Sequence, residues 1–292
     1  MAYPRRKRRA AARRPRRPSR RSYPTRKRRS APRARRGGMS RKSILNLTSV
    51  KKRDTMLSWR ITGDTEQGQV GSGLVPAAVG GTFIWCATAR DLRLGESDFR
   101  QAHRAQPSIF CVGIKELMEI QTATDHMWVH RRIIFALKDF YLQQDQSGPA
   151  QTAYENLSNG WARMMKNTRG APLNTYIAAL IFRGKQDVDW NNYHNAPVDN
   201  SRVTILRDTK SEFKSGNGQA IRKVVKTWIP IRKTIVYDDD EGLNSDAKVS
   251  FSVRSKRGLG DVFIVDYFDC VTPGAGGQLV VNPCATMYWH ER

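Results

Sequence analysis

The chain has 292 residues, 39% of them hydrophobic, with 51 Lys and Arg against 26 Asp and Glu. That is enough apolar material for a buried core, so a wholly disordered chain is excluded despite a formal charge of +25. The charge is unevenly placed: residues 1–53 hold 23 Lys and Arg and no acid, which leaves 28 basic against 26 acidic residues in the remainder.

Residues 1–42 read as a disordered arm. A block of like charge repels itself, cannot collapse, and seeks a polyanion. Its basic residues are Arg5, Arg6, Lys7, Arg8, Arg9, Arg13, Arg14, Arg16, Arg17, Arg20, Arg21, Arg26, Lys27, Arg28, Arg29, Arg33, Arg35 and Arg36, followed by Arg41 and Lys42. Guanidinium outnumbers ammonium, and guanidinium grips phosphate in a bidentate fork and stacks on bases. Pro4, Pro15, Pro18, Pro24 and Pro32 keep the segment extended. Tyr3 and Tyr23 are placed to stack on unpaired bases. No amphipathic apolar face accompanies the charge, so nucleic acid is the expected partner and a membrane surface is not. Arg5 to Arg9 and Arg26 to Arg29 also fit nuclear-import signals, a pattern that any arginine-rich arm produces easily. Gly37 and Gly38 mark a hinge into the folded part. No apolar signal segment follows the basic start, and the longest apolar run, Tyr176 to Phe182, is far too short to span a bilayer. A soluble, intracellular protein is expected.

Residues 43–292 read as one β domain. In chain order, Phe83 to Cys86 is a strand buried on both sides, and a short helix is expected near Ser97. Val112, Ile114, Met118 and Ile120 alternate on one strand face; Met127, Val129, Ile133, Phe135 and Leu137 do so on the next, with Arg131 the exception. Tyr154, Leu157, Trp161, Met164 and Met165 lie near a 3.6 period and predict a helical insertion packed on the sandwich, although Gly160 weakens it. Tyr176 to Phe182 reads as another buried strand. Gly216-Asn217-Gly218 is a turn, after which Val225, Thr227, Ile229 and Ile231 form a face opposite Lys226 and Trp228. Asp239 to Gly242 is a second turn, and Val262 to Val265 a last doubly buried strand. About eight strands with no βα alternation predict an all-β fold, a sandwich or a jelly roll.

Motifs for catalysis or cofactors do not emerge. Cys86, Cys111, Cys270 and Cys284 form no CxxC pair and suggest reduced, buried thiols. His126 and His130 share a face but lack the Glu of HExxH, so two polar strand positions are expected. Gly274 to Gly277 is not followed by Lys-Ser or Lys-Thr, no GxSxG elbow occurs, and no His pair flanks a single apolar residue as in a nicking nuclease. No metal, cofactor or enzymatic activity is therefore expected. The one dense carboxylate cluster, Asp238, Asp239, Asp240 and Glu241, admits three readings: a solvated loop, a contact with a neighbouring subunit, or a divalent-cation site.

Thr227 to Gly242 (TWIPIRKTIVYDDDEG), Ser255 to Phe268 (SKRGLGDVFIVDYF) and Ala285 to Arg292 (ATMYWHER) carry a resemblance. Arg202 to Gly218 and Lys51 to Met56 support it. Together they resemble the capsid proteins of genomoviruses, small circular single-stranded DNA viruses related to geminiviruses. The resemblance implies a single jelly roll, identical subunits closing into a shell, packaging of single-stranded DNA, and a life divided between virion and host nucleus, with import receptors as partners. Circoviruses share the plan of arm and jelly roll, but the YDDDEG and RGLGD stretches point away from them. The competing expectation is a histone-like or ribosomal-type packaging protein with a β body. Such proteins usually carry basic residues over the folded face, whereas this body is near neutral by count. An enzyme acting on DNA is a distant third.

Overall fold

Alternation and apolar runs settle into two sheets, which form an all-β sandwich in a computed structural model of the chain. It describes residues 39–61, 68–92, 102–138, 155–157, 160–215, 218–237, 250–272 and 276–292. The arm up to residue 38, the expected helix near Ser97 and the acidic cluster Asp238 to Glu241 lie outside the described residues.

The described residues form twelve strands rather than about eight, with two short helices. The long strands are β1 (Val50–Arg60), β5 (Ser108–Thr122), β6 (Trp128–Leu137), β9 (Thr204–Phe213), β10 (Ile221–Val236), β11 (Asp261–Cys270) and β12 (Gln278–Glu291). Shorter ones are β2 (Gln69–Val70), β3 (Gly73–Pro76), β4 (Gly81–Cys86), β7 (Glu155–Leu157) and β8 (Gly160–Met164). The larger sheet runs β10-β5-β12-β1-β8-β7, with β2 on β1 and β3 on β12; the smaller runs β4-β11-β6-β9. Pairing is antiparallel except for β1 with β8. The first and last long strands are neighbours, Val50 lying opposite Glu291.

Two elements depart from the sequence reading. The described residues of the stripe from Tyr154 to Met165 are not helical but contribute β7 and β8, and β8 adds to the edge of β1. Trp161, Ala162, Arg163, Met164 and Met165 are all buried, so β8 is covered on both faces and shows no alternation of its own, and pairing with an open sheet edge decides its state. Conversely, Tyr176 to Phe182 is not a strand. Its residues up to Ile181 lie in α2 (Pro172–Ile181), with Phe182 as the C-cap; the helix begins with Pro at its first turn and buries Leu173, Ile177, Ala178 and Ile181, a 3.6-period face. A seven-residue apolar run carries no period that separates the two states. The first helix, α1 (Arg41–Thr48), is capped by Ser40, whose Oγ accepts from the Ser43 amide at 3.2 Å, and it buries none of its residues.

The core lies between the sheets and also beneath the smaller one. Ile133, Phe135, Phe263, Val265 and Tyr267 are buried on the outward face of that sheet. There α2 and the following segment cover them: Phe182 lies 5.8 Å from Tyr267, and Tyr193 stacks on Tyr267 at 4.9 Å. Both faces of β6 are therefore buried, which is why its alternation is imperfect.

Candidate nucleic-acid interface

Among the described residues five arginines are buried: Arg90, Arg104, Arg131, Arg132 and Arg163. They meet carboxylates, carbonyls or aromatic faces, as buried guanidinium requires, although Nε of Arg90 and of Arg163 has no hydrogen-bond partner among the described residues. Arg132 from β6 and Arg163 from β8 face each other across the sandwich and share Glu116 of β5 and Asp266 of β11. Arg132 donates to both oxygens of Asp266, at 2.6 and 2.9 Å, and Arg163 reaches Asp266 at 3.0 Å. His130 adds a hydrogen bond to Asp266 at 2.8 Å, and its other ring nitrogen meets Ser211 Oγ at 3.2 Å. Glu116 occupies the inward position skipped in the alternation Ile114, Met118, Ile120. Burial pushes the Asp266 carboxyl up, but Arg132 and His130 override it and hold it below the usual carboxylate range. Burial lowers His130, against the opposing pull of Asp266, and brings Arg163 down to about 10.

The near-neutral count of the body does not say where its surface charges lie. Among the described residues Asp54, Glu116, Asp199, Asp261, Asp266 and Glu291 are buried, but so are Lys52, Arg90, Arg104, Arg131, Arg132 and Arg163, so burial removes acids and bases in equal number and leaves the surface balance as it was. On the larger sheet, the outward positions of β10, β5, β12 and β1 hold Lys51, Arg53, Lys115, Arg222 and Lys226. Among the described residues, the one carboxylate at these positions is Glu119, which Arg222 engages. Aromatic side chains lie between the basic ones. Trp228 sits opposite Lys115, Tyr288 opposite both Gly113 and Arg53, and His290 opposite both Phe110 and Lys51. Trp228 and Tyr288 meet edge to face at 5.9 Å. A groove of about 320 Å³ runs between Lys51, Lys115, Trp228, Tyr288 and His290. Burial, then the neighbouring Lys51, lowers the His290 imidazole from its ordinary value, which favours the uncharged ring. The sequence signal for this surface was the position of Lys226 and Trp228 opposite the apolar face of β10; its continuation onto β5, β12 and β1 was not readable without the register.

The basic residues singled out in the arm, Arg5 to Arg36, and the cluster Asp238 to Glu241 lie outside the described residues. The chain enters the fold through α1 into β1, beside the end of β12. His126 and His130 do not share a strand face: His126 precedes β6 and meets the Gly276 carbonyl at 3.1 Å, while His130 belongs to the buried network. The cysteines are free, but only Cys86 and Cys111 are buried; Cys270 is half-buried and Cys284 exposed. A second concavity, about 470 Å³, lies at the end of the smaller sheet, where His194 bonds Asp269 at 2.8 Å. Among the described residues no group of three or more His, Cys, Asp or Glu is placed to hold a metal ion, and no helix is long and apolar enough to cross a membrane. Compared with known proteins, the chain matches no family model and no curated protein.

Proposed function

We propose that this chain is a capsid subunit, of the genomovirus kind, whose jelly-roll body closes into a shell and whose basic arm packages circular single-stranded DNA. The observation that carries the reading is the order of eight strands. β1, β12, β5 and β10 lie side by side in one sheet, and β4, β11, β6 and β9 in the other. In chain order the sheets alternate through β1, β4, β5 and β6, then β9, β10, β11 and β12, with a single repeat of the smaller sheet at β6 and β9. That interleaving is expected of a jelly roll, in which neighbouring strands are distant in sequence. The stretches that resemble genomovirus capsid proteins fall chiefly on β1, β9, β10, β11 and β12, the strands that set this order.

The arm supplies the packaging charge. If about 60 subunits assembled, arms with 20 basic residues up to Lys42 would bring roughly 1,200 positive charges, enough to offset much of a strand of a few thousand nucleotides. Arg5 to Arg9 and Arg26 to Arg29 would serve import into the host nucleus before assembly, and the mature protein would reside in the virion. Asp238 to Glu241, repelled by phosphate, would meet a basic surface of a neighbouring subunit, where opposite charges fix register more than affinity.

The second reading, a packaging protein that builds no shell, is favoured by the basic outer face of the larger sheet. Sedimentation and negative-stain microscopy of the expressed chain separate the two. Closed particles of uniform size that protect single-stranded DNA from nuclease are expected; irregular nucleoprotein clusters would overturn the shell.

A further inference from the structure

We propose that the outward face of β10, β5, β12 and β1 is a second nucleic-acid site, on which Trp228 and Tyr288 stack unpaired bases while Lys51, Arg53, Lys115 and Lys226 take the phosphates. This inference rests on the packaging reading and extends it from the arm to the folded body.

All seven tryptophans are described, and Trp228, at 43% exposure, is the exposed one; Trp85, Trp128, Trp161, Trp190 and Trp289 are buried and Trp59 is half-buried. Exposed Phe110, Leu117 and Val224 share this outward face with Trp228, so more apolar area is left in water than a lone side chain leaves, and a partner is expected there. Backbone geometry holds the ring in place. Gly113 lies beneath it, and a Cβ there would come within 2.8 Å of Trp228 Cζ2 and 2.4 Å of the Ile229 carbonyl oxygen. Glycine at this position lets the indole lie against the sheet. Its edge-to-face contact with Tyr288 fixes both rings and leaves aromatic surface open to the groove.

The charge selects the occupant. The outward positions carry five basic side chains against the single carboxylate of Glu119, which Arg222 already engages. That pattern suits a polyanion with flat apolar groups, which is single-stranded nucleic acid. A duplex hides its base faces and would gain only the phosphate contacts. The site is continuous with the arm, because α1 delivers the chain to β1 at the end of the face that holds Lys51 and His290. A strand gripped by the arm would therefore reach the rings without crossing the molecule.

The test uses the full-length chain as dissociated subunits, with a labelled oligothymidine of about 20 nucleotides and a duplex of equal length. Trp228→Ala and Tyr288→Ala should each weaken oligothymidine binding about tenfold, leave duplex binding unchanged, and keep the wild-type thermal midpoint. Trp228→Phe should retain most of the affinity. Changing Lys51, Lys115 and Lys226 together to Gln should flatten the salt dependence for oligothymidine by about 2 in the log–log slope. Wild-type affinity in both Ala variants, or equal losses on single strand and duplex, would overturn the site while leaving packaging by the arm intact. Failure of the wild-type chain to bind either probe would instead overturn the packaging reading itself. Reduced particle yield with unchanged oligothymidine affinity would assign the face to a neighbouring subunit and also overturn the proposal.

Discussion

Asp266 and Glu116 each face two guanidinium groups inside the sandwich, so removing either carboxylate leaves cationic charge buried. Asp266→Asn should cost about 3–5 kcal/mol in urea unfolding of the subunit, whereas apolar replacement of the whole network should cost far less. The pH dependence follows from the same groups. His130 is held below its ordinary value, so the unfolded chain takes that proton first as pH falls. Its contribution is complete above about pH 6.5 and is lost progressively below it. Asp266 is held low, so its contribution is complete above about pH 4 and is lost as pH falls further. Both shifts therefore favour the neutral side. The thermal midpoint should fall between pH 7 and 5, and His130→Gln should flatten that segment; an unaltered slope would place the titrating group elsewhere. The thiols give an independent check of burial. Burial pushes Cys86 and Cys111 up to about 12, while Cys284 is exposed on the outer sheet face. Iodoacetamide at pH 8 should modify Cys284 in the folded chain and reach Cys86 and Cys111 only after unfolding, as read by peptide mass.

Among the elements, the segment after α2 depends on one side chain of β6. Arg131 donates to the Tyr193 and Ala196 carbonyls at 2.6 and 2.7 Å, and grips Asp208 of β9 at 3.0 and 2.7 Å. It thus joins the cover to the sheet it covers. Arg131→Leu would leave two carbonyls and a carboxylate without their cation and should cost about 3 kcal/mol. The loss should localise: limited proteolysis should cut between residues 183 and 202 in the variant and not in the wild type. This residue was visible in the sequence as the one exception to an apolar alternation. Its partners were not, because Tyr193 and Ala196 come from the segment after α2 and Asp208 from β9, and only the fold brings them to β6. β10 illustrates the opposite case. Its half-buried and buried Val225, Thr227, Ile229 and Ile231 and its exposed Lys226 and Trp228 follow the sequence pattern directly, since an edge strand with one wet face shows a clean period of two.

For the whole molecule, the division of charge between arm and body predicts how binding divides. Deleting residues 1–42 removes 20 basic residues and should weaken binding to single-stranded DNA by orders of magnitude at physiological salt. The full chain should show a steep salt dependence, near −0.7 per phosphate neutralised, and the truncated chain a residual log–log slope of about −3 from the cations on the sheet face. Fluorescence titration across salt concentrations measures both slopes. Equal affinities before and after truncation would remove the arm from DNA binding, and a residual slope near zero would show that the sheet face does not engage phosphate.

By itself the sequence determined the basic arm, the all-β class and most of the strands, because charge density and period-two burial are local properties that neighbours in the chain decide. Tertiary structure decided the rest. The state of Tyr154–Met165 and of Tyr176–Phe182 depended on which sheet edge or face they met, since short apolar runs carry no distinguishing period. The buried ion network depended on four strands converging, and Glu116, Arg132, Arg163 and Asp266 are too far apart in sequence for any spacing to relate them. The basic and aromatic face arose from the register of β10, β5, β12 and β1. A near-neutral composition could not reveal it, because counting charges does not say which of them the register brings onto one face.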